Sequence, residues 1–354
     1  MSETYFLGSM TGHGFRSAFD DVIGNEDYFT YILKGGAGTG KSSLMKKVAA
    51  EFENSEHVIR YRCSSDPDSL DAVVLTESGV VIVDGTAPHV YDPVIPGVCQ
   101  KIVNLGEYWD TEKLKANKDQ IIEAIKSNKS MMDRARRFTA AISNVYSDTY
   151  QIGRECLLIK KFNAFITRFK KKLLPKGGHG KGETAYRQLS ALTRYGHITF
   201  NETLNDYFDI YYINDEYYAA TDLLLKSIAS EATAKGYDII CCASQLFNNQ
   251  NLEHILIPEL GIALIGSNPM TNLIHEKGKA INMHRFYDKK STAFKKSRLK
   301  LNALTCKSLS NEISNTLDNA KLIHDDIEKY YIDAMDFDKV NCAAEEICRQ
   351  IRGI

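Results

Sequence analysis

The run Tyr31-Ile32-Leu33-Lys34-Gly35-Gly36-Ala37-Gly38-Thr39-Gly40-Lys41-Ser42-Ser43 sets four glycines among two lysines, a threonine and two serines. Glycines at 35, 36, 38 and 40 let a backbone curl until its N–H groups converge, which makes a cradle for anionic oxygen. The spacing G-x-x-x-x-G-K-S is that of the phosphate-binding P-loop. On this reading Gly35, Gly36, Ala37, Gly38, Thr39, Gly40, Lys41, Ser42 and Ser43 hold the phosphates of ATP. Lys41 is expected to reach the β- and γ-phosphates, and the Ser42 hydroxyl to ligate Mg²⁺. A glycine-rich turn that merely precedes a helix is the bland alternative.

A phosphate site of this kind needs a second motif, a carboxylate for the metal. Gly79-Val80-Val81-Ile82-Val83-Asp84-Gly85 offers one, because four β-branched residues predict a buried strand with Asp84 at its tip. Asp84 is expected to hold Mg²⁺, directly or through water. His89 and Asp92 follow closely; His89 is either a phosphate sensor or an ordinary loop histidine. The stretch Cys63-Ser64-Ser65-Asp66-Pro67-Asp68-Ser69-Leu70-Asp71 reads as a strand-to-helix connection. It is either cap chemistry or part of a site, since such connections lie at the carboxyl edge of an α/β sheet. The expected catalytic set is Lys41, Asp84 and His89, with Asp66 a second candidate for orienting water.

The flanks of the loop are what such chemistry requires. Tyr31 to Leu33 predicts a buried strand, and Leu44, Val48 and Phe52 recur at spacings of four on a following helix. That helix would aim its positive end at the anion. Residues 5–15 predict a short strand running into a glycine-containing turn, and His57 to Arg62 a further strand. From Glu107 to Leu174 the pattern is helical. Within it Leu157, Leu158, Phe162, Phe165, Ile166, Phe169 and Leu173 form an apolar stripe among Lys160, Lys161, Arg168, Lys170, Lys171 and Lys172. A solvated helix packing on its neighbours is the plainer reading; a surface for nucleic acid or anionic membrane is the sharper one. Residues 175–182 have the composition of a linker.

The second half repeats the first. Tyr31–Leu33 aligns with Tyr211–Ile213 and Leu44–Ala49 with Leu224–Ala229 at a constant offset of 180. Leu7–Thr11 matches Leu189–Thr193, Gly79–Val83 matches Gly261–Ile265, and Ile102–Asn104 matches Ala280–Asn282. The chemistry is not repeated. Gly35 meets Asp215, Gly40 meets Ala220, Lys41 meets Thr221, Ser42 meets Asp222 and Asp84 meets Gly266. Acidic side chains there would repel phosphate, so the second module is expected to be degenerate. The expected fold is α/β, with tandem P-loop NTPase-like modules (parallel sheets with flanking helices), each followed by a helical arm. The corresponding bounds are 1–106, 107–174 for the first arm, 175–183 for the linker, 184–275, and 276–354 for the second arm.

Bulk properties exclude little but are consistent. A chain of 354 residues, 44% hydrophobic and 25% charged with a formal net charge of -1, suits more than one globular domain and carries no global basic excess. A second basic run (Lys289, Lys290, Lys295, Lys296, Arg298, Lys300) lies in the second arm. No transmembrane run and no secretory leader are expected, and eight scattered cysteines suggest reduced thiols in a cytoplasmic protein.

With residues 31–43, 63–71, Asp84-Gly85-Thr86-Ala87-Pro88-His89 and Tyr330-Tyr331-Ile332-Asp333-Ala334-Met335-Asp336-Phe337, the chain resembles a family of poorly characterised bacterial tandem P-loop ATPase-like proteins. The resemblance spans nearly the whole chain and implies ATP binding with hydrolysis, although here the second half lacks Gly-Lys-Ser. The expected activity is that of an Mg²⁺-dependent ATPase driving a conformational change between two repeated halves, acting on an unknown acceptor or protein partner. A small-molecule or nucleoside kinase, or a nucleotide-gated module for nucleic acid or membrane, is the alternative.

Overall fold

A computed structural model describes residues 2–353 apart from 25, 87–89, 178–179, 248–250, 272 and 274–277. The first half of the chain begins with β1 (Ser2–Phe6), a hairpin of β2 (Gly8–Thr11) and β3 (Gly14–Ser17), and the short helix α1 (Phe19–Ile23). Then follow β4 (Phe29–Lys34), α2 (Lys41–Phe52), β5 (Val58–Arg62), β6 (Leu70–Leu75), β7 (Val80–Asp84) and β8 (Gln100–Asn104). Three helices complete it: α3 (Thr111–Ala116), α4 (Lys118–Cys156) and α5 (Ile159–Leu173). The second half runs β9 (Thr184–Arg187), β10 (Ser190–Thr193), β11 (Gly196–Thr199), β12 (Asp209–Asn214), α6 (Ala219–Ala234), β13 (Ile239–Ala243), β14 (Leu252–Ile257), β15 (Ile262–Ser267) and β16 (Lys279–Asn282). It ends in α7 (Lys289–Phe294), α8 (Lys296–Ala334) and α9 (Phe337–Arg352).

The protein is mixed α/β, with two six-stranded, mostly parallel sheets and flanking helices. Their strand orders are β1-β5-β6-β7-β4-β8 and β9-β13-β14-β15-β12-β16, the same order shifted by eight strands. In the first sheet β1 runs parallel to β5, and β4 parallel to both β7 and β8; β6 alone is antiparallel to its neighbours. β14 is the corresponding exception in the second. The aligned segments of the two halves fall on corresponding strands: β4 with β12, β2 with β10, β7 with β15, and β8 with β16. The duplication is therefore one of topology as well as of sequence.

One local expectation is corrected. The stretch 63–71 joins strand to strand, not strand to helix, because it turns β5 into antiparallel β6. Leu70–Leu75 is buried at every position and carries Val73 and Val74, which suits a central strand. Its turn is closed by Cys63 N–H donating to Ser69 O and Ser69 N–H donating to Asp66 O.

Two compact units form, and neither is one continuous stretch. The first comprises residues 1–9, 17–135 and 315–354, the second residues 10–16 and 136–314. In the first, Leu44, Met45 and Val48 of α2 pack with Tyr31, Leu33 and Ile82 of the sheet, and α9 contributes Val340, Ala344, Ile347 and Ile351. Those four lie at spacings of three and four, one face of a helix. In the second unit α5 contributes Phe162, Ile166, Phe169 and Leu173 at the same spacings, packed with Leu224 and Ile228 of α6 and Tyr211 and Leu264 of the sheet. From Phe162 to Leu173 the apolar stripe of α5 thus faces the core, whereas Leu158 just before the helix is exposed.

Candidate functional site

Strand pairing assembles the site at the carboxyl edge of the first sheet. β4 lies between β7 and β8, in a register that sets Leu33 opposite Asp84. Gly85 N–H donates to Leu33 O at 3.0 Å, which pins the end of β7 at the start of the glycine loop. Gly38 (φ 67°) and Gly40 (φ 85°) adopt the left-handed conformation, and Gly40 caps α2. A side chain at either position would be strained. Thr39, fully buried, donates its hydroxyl to Gly36 O at 2.9 Å and tightens the loop from within.

The chemical groups expected from the sequence meet here. The Lys41 ammonium donates to Gly35 O at 2.9 Å and Gly36 O at 2.7 Å, and lies 3.6 Å from Asp84 Oδ2. Its side chain is only 10% exposed, so its charge acts in a partly desolvated place. Asp84 Oδ1 accepts from Thr86 N–H at 2.9 Å and from the Thr86 hydroxyl, which leaves Oδ2 turned toward Lys41. Ser42 Oγ accepts from Leu70 N–H at 3.0 Å, tying α2 to β6. Asp71 is buried on β6, and its carboxyl is pushed up to about 8, first by burial and then by the charge of Asp84. Asp66 raises it further, whereas Lys41 pulls it down. Asp66, Asp71, Asp84 and Lys41 therefore share one electrostatic neighbourhood.

Other expected residues fall elsewhere. His89 lies outside the described residues. Asp92 is exposed and pairs with Lys34 at 2.8 Å, while Lys34 also donates to Gly85 O and Tyr91 O. Asp68 is exposed, and its carbonyl accepts from Lys46.

Helix α8 brings in residues that sequence reasoning did not assign. Lys321 Nζ lies 3.6 Å from Asp66 Oδ2 and also pairs with Asp325. Further along the same face, the Glu328 carbonyl would stand 2.8 Å from a Cβ on Gly38, and the Tyr331 ring 2.9 Å from a Cβ on Gly36. Tyr331 in turn packs on Trp109, ring centroids 5.6 Å apart. Positions 321, 324, 328 and 331 make a helical face, so the helix was legible. Its destination was not, because nearly three hundred residues separate Lys321 from Gly36.

The corresponding loop of the second unit is filled by its own side chains. Asp215 Oδ2 accepts from Thr221 N–H at 2.8 Å at the start of α6, and Oδ1 accepts from Tyr217 N–H at 3.1 Å and Tyr287 OH at 2.8 Å. A carboxylate thus takes the helix N-terminus, where the field favours an anion. Tyr218, aligned with Gly38, keeps its left-handed backbone at φ 62° and packs on Tyr146 and Phe247. The cleft lined by Asp215, Tyr218, Asp222 and Glu253 has room for about one water molecule.

Ser190, His254 and Glu253 of the second unit resemble a nucleophilic triad in composition but not in polarity. Gly266 N–H donates to His254 Nδ1 at 3.2 Å, so the proton sits on Nε2. Nε2–H therefore donates to Ser190 Oγ at 2.9 Å, and Ser190 donates to Glu253 Oε2 at 3.2 Å. A histidine already protonated toward the serine cannot accept its proton. Burial pushes His254 down to about 3, helped by His197, which is consistent with a neutral, structural ring.

No family model, curated protein or solved structure matches the chain.

Proposed function

We propose that the protein binds Mg²⁺–ATP in the cradle formed by residues 35–43 and hydrolyses it. The observation that carries this reading is the convergence of the left-handed glycine loop, Lys41 and Asp84 at one sheet edge. In this reading the backbone N–H groups of the loop and of the first turn of α2 orient the phosphates. Lys41 exchanges its two carbonyl partners for phosphate oxygens and stabilises the charge that develops on transfer. The donor set suits a hard cation, because Ser42 contributes a hydroxyl and Asp84 a carboxylate oxygen. When bound, Mg²⁺ supplies charge neutralisation between the phosphates. Lys321 supplies a second cation from α8, held meanwhile by Asp66. Catalysis is then positioning and electrostatics, the work expected of such a site.

The test is Mg²⁺-dependent phosphate release from ATP by the purified chain, run beside Lys41→Ala with direct measurement of ATP binding. Turnover is expected to fall by about 10²–10³ in the variant, as when one donor to a developing charge is removed. Undiminished turnover in Lys41→Ala would remove the assignment. Tight binding with release only when a hydroxyl acceptor is added would move the reading to a kinase.

A further inference from the structure

A second feature lies in the second unit and owes nothing to the nucleotide reading. The corner between α4 and α5 pairs with the segment leading into α7. Leu158 N–H donates to Phe286 O at 2.8 Å, Asp288 N–H donates to Cys156 O at 2.8 Å, and Lys161 Nζ donates to Arg285 O at 2.7 Å. Lys295, between α7 and α8, pairs with Glu155 on the last turn of α4. Two segments some 130 residues apart are thereby fixed side by side.

What they present is unusual for a surface bathed only by water. Phe294 is 92% exposed, and Leu158 and Ile159 are 41% and 49% exposed. Around them Lys160, Lys161, Lys289, Lys290 and Lys296 are all exposed. The nearest acids are already engaged, Glu155 by Lys295 and Asp288 by the N–H and hydroxyl of Ser291. The base beneath is stiff. Phe162, Phe165 and Phe286 pack ring on ring, and Arg285 lies over Phe165 at 5.2 Å and Phe286 at 4.8 Å.

We infer that this corner is a docking surface for an anionic lipid bilayer. Charge complementarity selects a negative partner, and each lysine near such a surface contributes about 1 kcal/mol, or roughly fivefold in affinity. The apolar tips select a bilayer among negative partners. Leu158 and Ile159 have no aromatic face to offer a base, whereas Phe, Leu and Ile beside lysines suit the boundary between headgroups and acyl chains. The part of the α5 stripe from Phe162 to Leu173 takes no part, since Phe162, Ile166, Phe169 and Leu173 are buried in the core of the unit; only Leu158 at its start reaches the surface.

The experiment is co-sedimentation of the full chain, without nucleotide, with phosphatidylglycerol/phosphatidylcholine vesicles and with pure phosphatidylcholine vesicles. Binding is expected to the anionic vesicles only, weakening as salt is raised. Lys289→Glu with Lys290→Glu should lower affinity by at least about fivefold for each reversal. Phe294→Ser should lower it while leaving the salt dependence in place, and both variants should melt like the parent because all three residues are exposed. Three results would each overturn the inference: no binding to anionic vesicles at low salt, equal binding by both variants, or binding to an oligonucleotide or self-association with the vesicles left untouched.

Discussion

At the scale of the residue, the two loops differ in what stands at the start of the helix that follows each. In the first unit Gly38 and Gly40 bend the backbone left-handed and Lys41 stands behind it; in the second the Asp215 carboxylate takes the helix N-terminus and Tyr218 keeps the bend. Gly38→Ala places a Cβ 2.8 Å from the Glu328 carbonyl on a backbone with φ 67°. It is expected to lower stability by about 1–2 kcal/mol from the left-handed backbone alone, with the clash adding to that, as thermal denaturation would measure. Two histidines of the second unit, His254 buried and His197 partly buried, give a pH prediction. His254 is pushed down to about 3 and His197 to about 4 in the fold, so the unfolded chain binds more protons as pH falls below 6.5. Their contribution to stability is complete above pH 6.5 and is lost from there down toward pH 4 and below. Melting curves from pH 7 to pH 4 should show the decline, and His254→Gln should make it shallower. Glu253, raised to about 7 by burial, works in the opposite sense between pH 4.5 and 7. The decline should therefore steepen in Glu253→Gln.

At the scale of the element, α5 and α9 do the same work at corresponding places. Each buries one apolar face, 162/166/169/173 or 340/344/347/351, against its unit's sheet-and-helix layer. Each also follows a long helix, α4 or α8, of 39 residues. Asp336 caps α9 by accepting from Lys339 N–H, and Asp336 N–H donates to Tyr108 O, so the entry of the helix is tied to its own unit. Ile347→Ala is expected to cost about 2–5 kcal/mol, as for a buried large-to-small change. Hydrogen exchange should then report the loss in α2, on which α9 packs, about three hundred residues back along the chain. Unchanged protection in α2 would contradict this packing account.

At the scale of the whole molecule, a duplicated topology carries one chemically equipped loop and one self-filled loop. The proposed ATP site therefore predicts an asymmetric response. At ATP a hundredfold above its dissociation constant, the first unit should gain about 2.7 kcal/mol by mass action. The second should gain nothing, since Asp215 already satisfies Thr221 N–H and Tyr217 N–H. Hydrogen exchange with and without Mg²⁺–ATP would read both. Added protection confined to residues of the first unit is the expected outcome, and equal protection in α6 would contradict the asymmetry.

Much of this was legible in the sequence because it is local. The glycine spacing determined the loop, the apolar run Val80–Val83 determined the strand that ends in Asp84, and the 180-residue offset determined that the halves correspond. Loss of Gly-Lys-Ser in the second half was equally plain. Sequence could not tell that Asp215 would become the anion of its own loop, since that depends on hydrogen bonds from Thr221 N–H and, 72 residues away, Tyr287 OH. Nor could it tell that residues 63–71 turn into an antiparallel strand, because the partners of β6 lie on either side of it in space. Least accessible was the ownership of the helices. The periodicity of α5 and α9 says that one face must be buried, but any apolar layer would satisfy it, and only tertiary packing decided that α9 and Lys321 join the first unit and α5 the second.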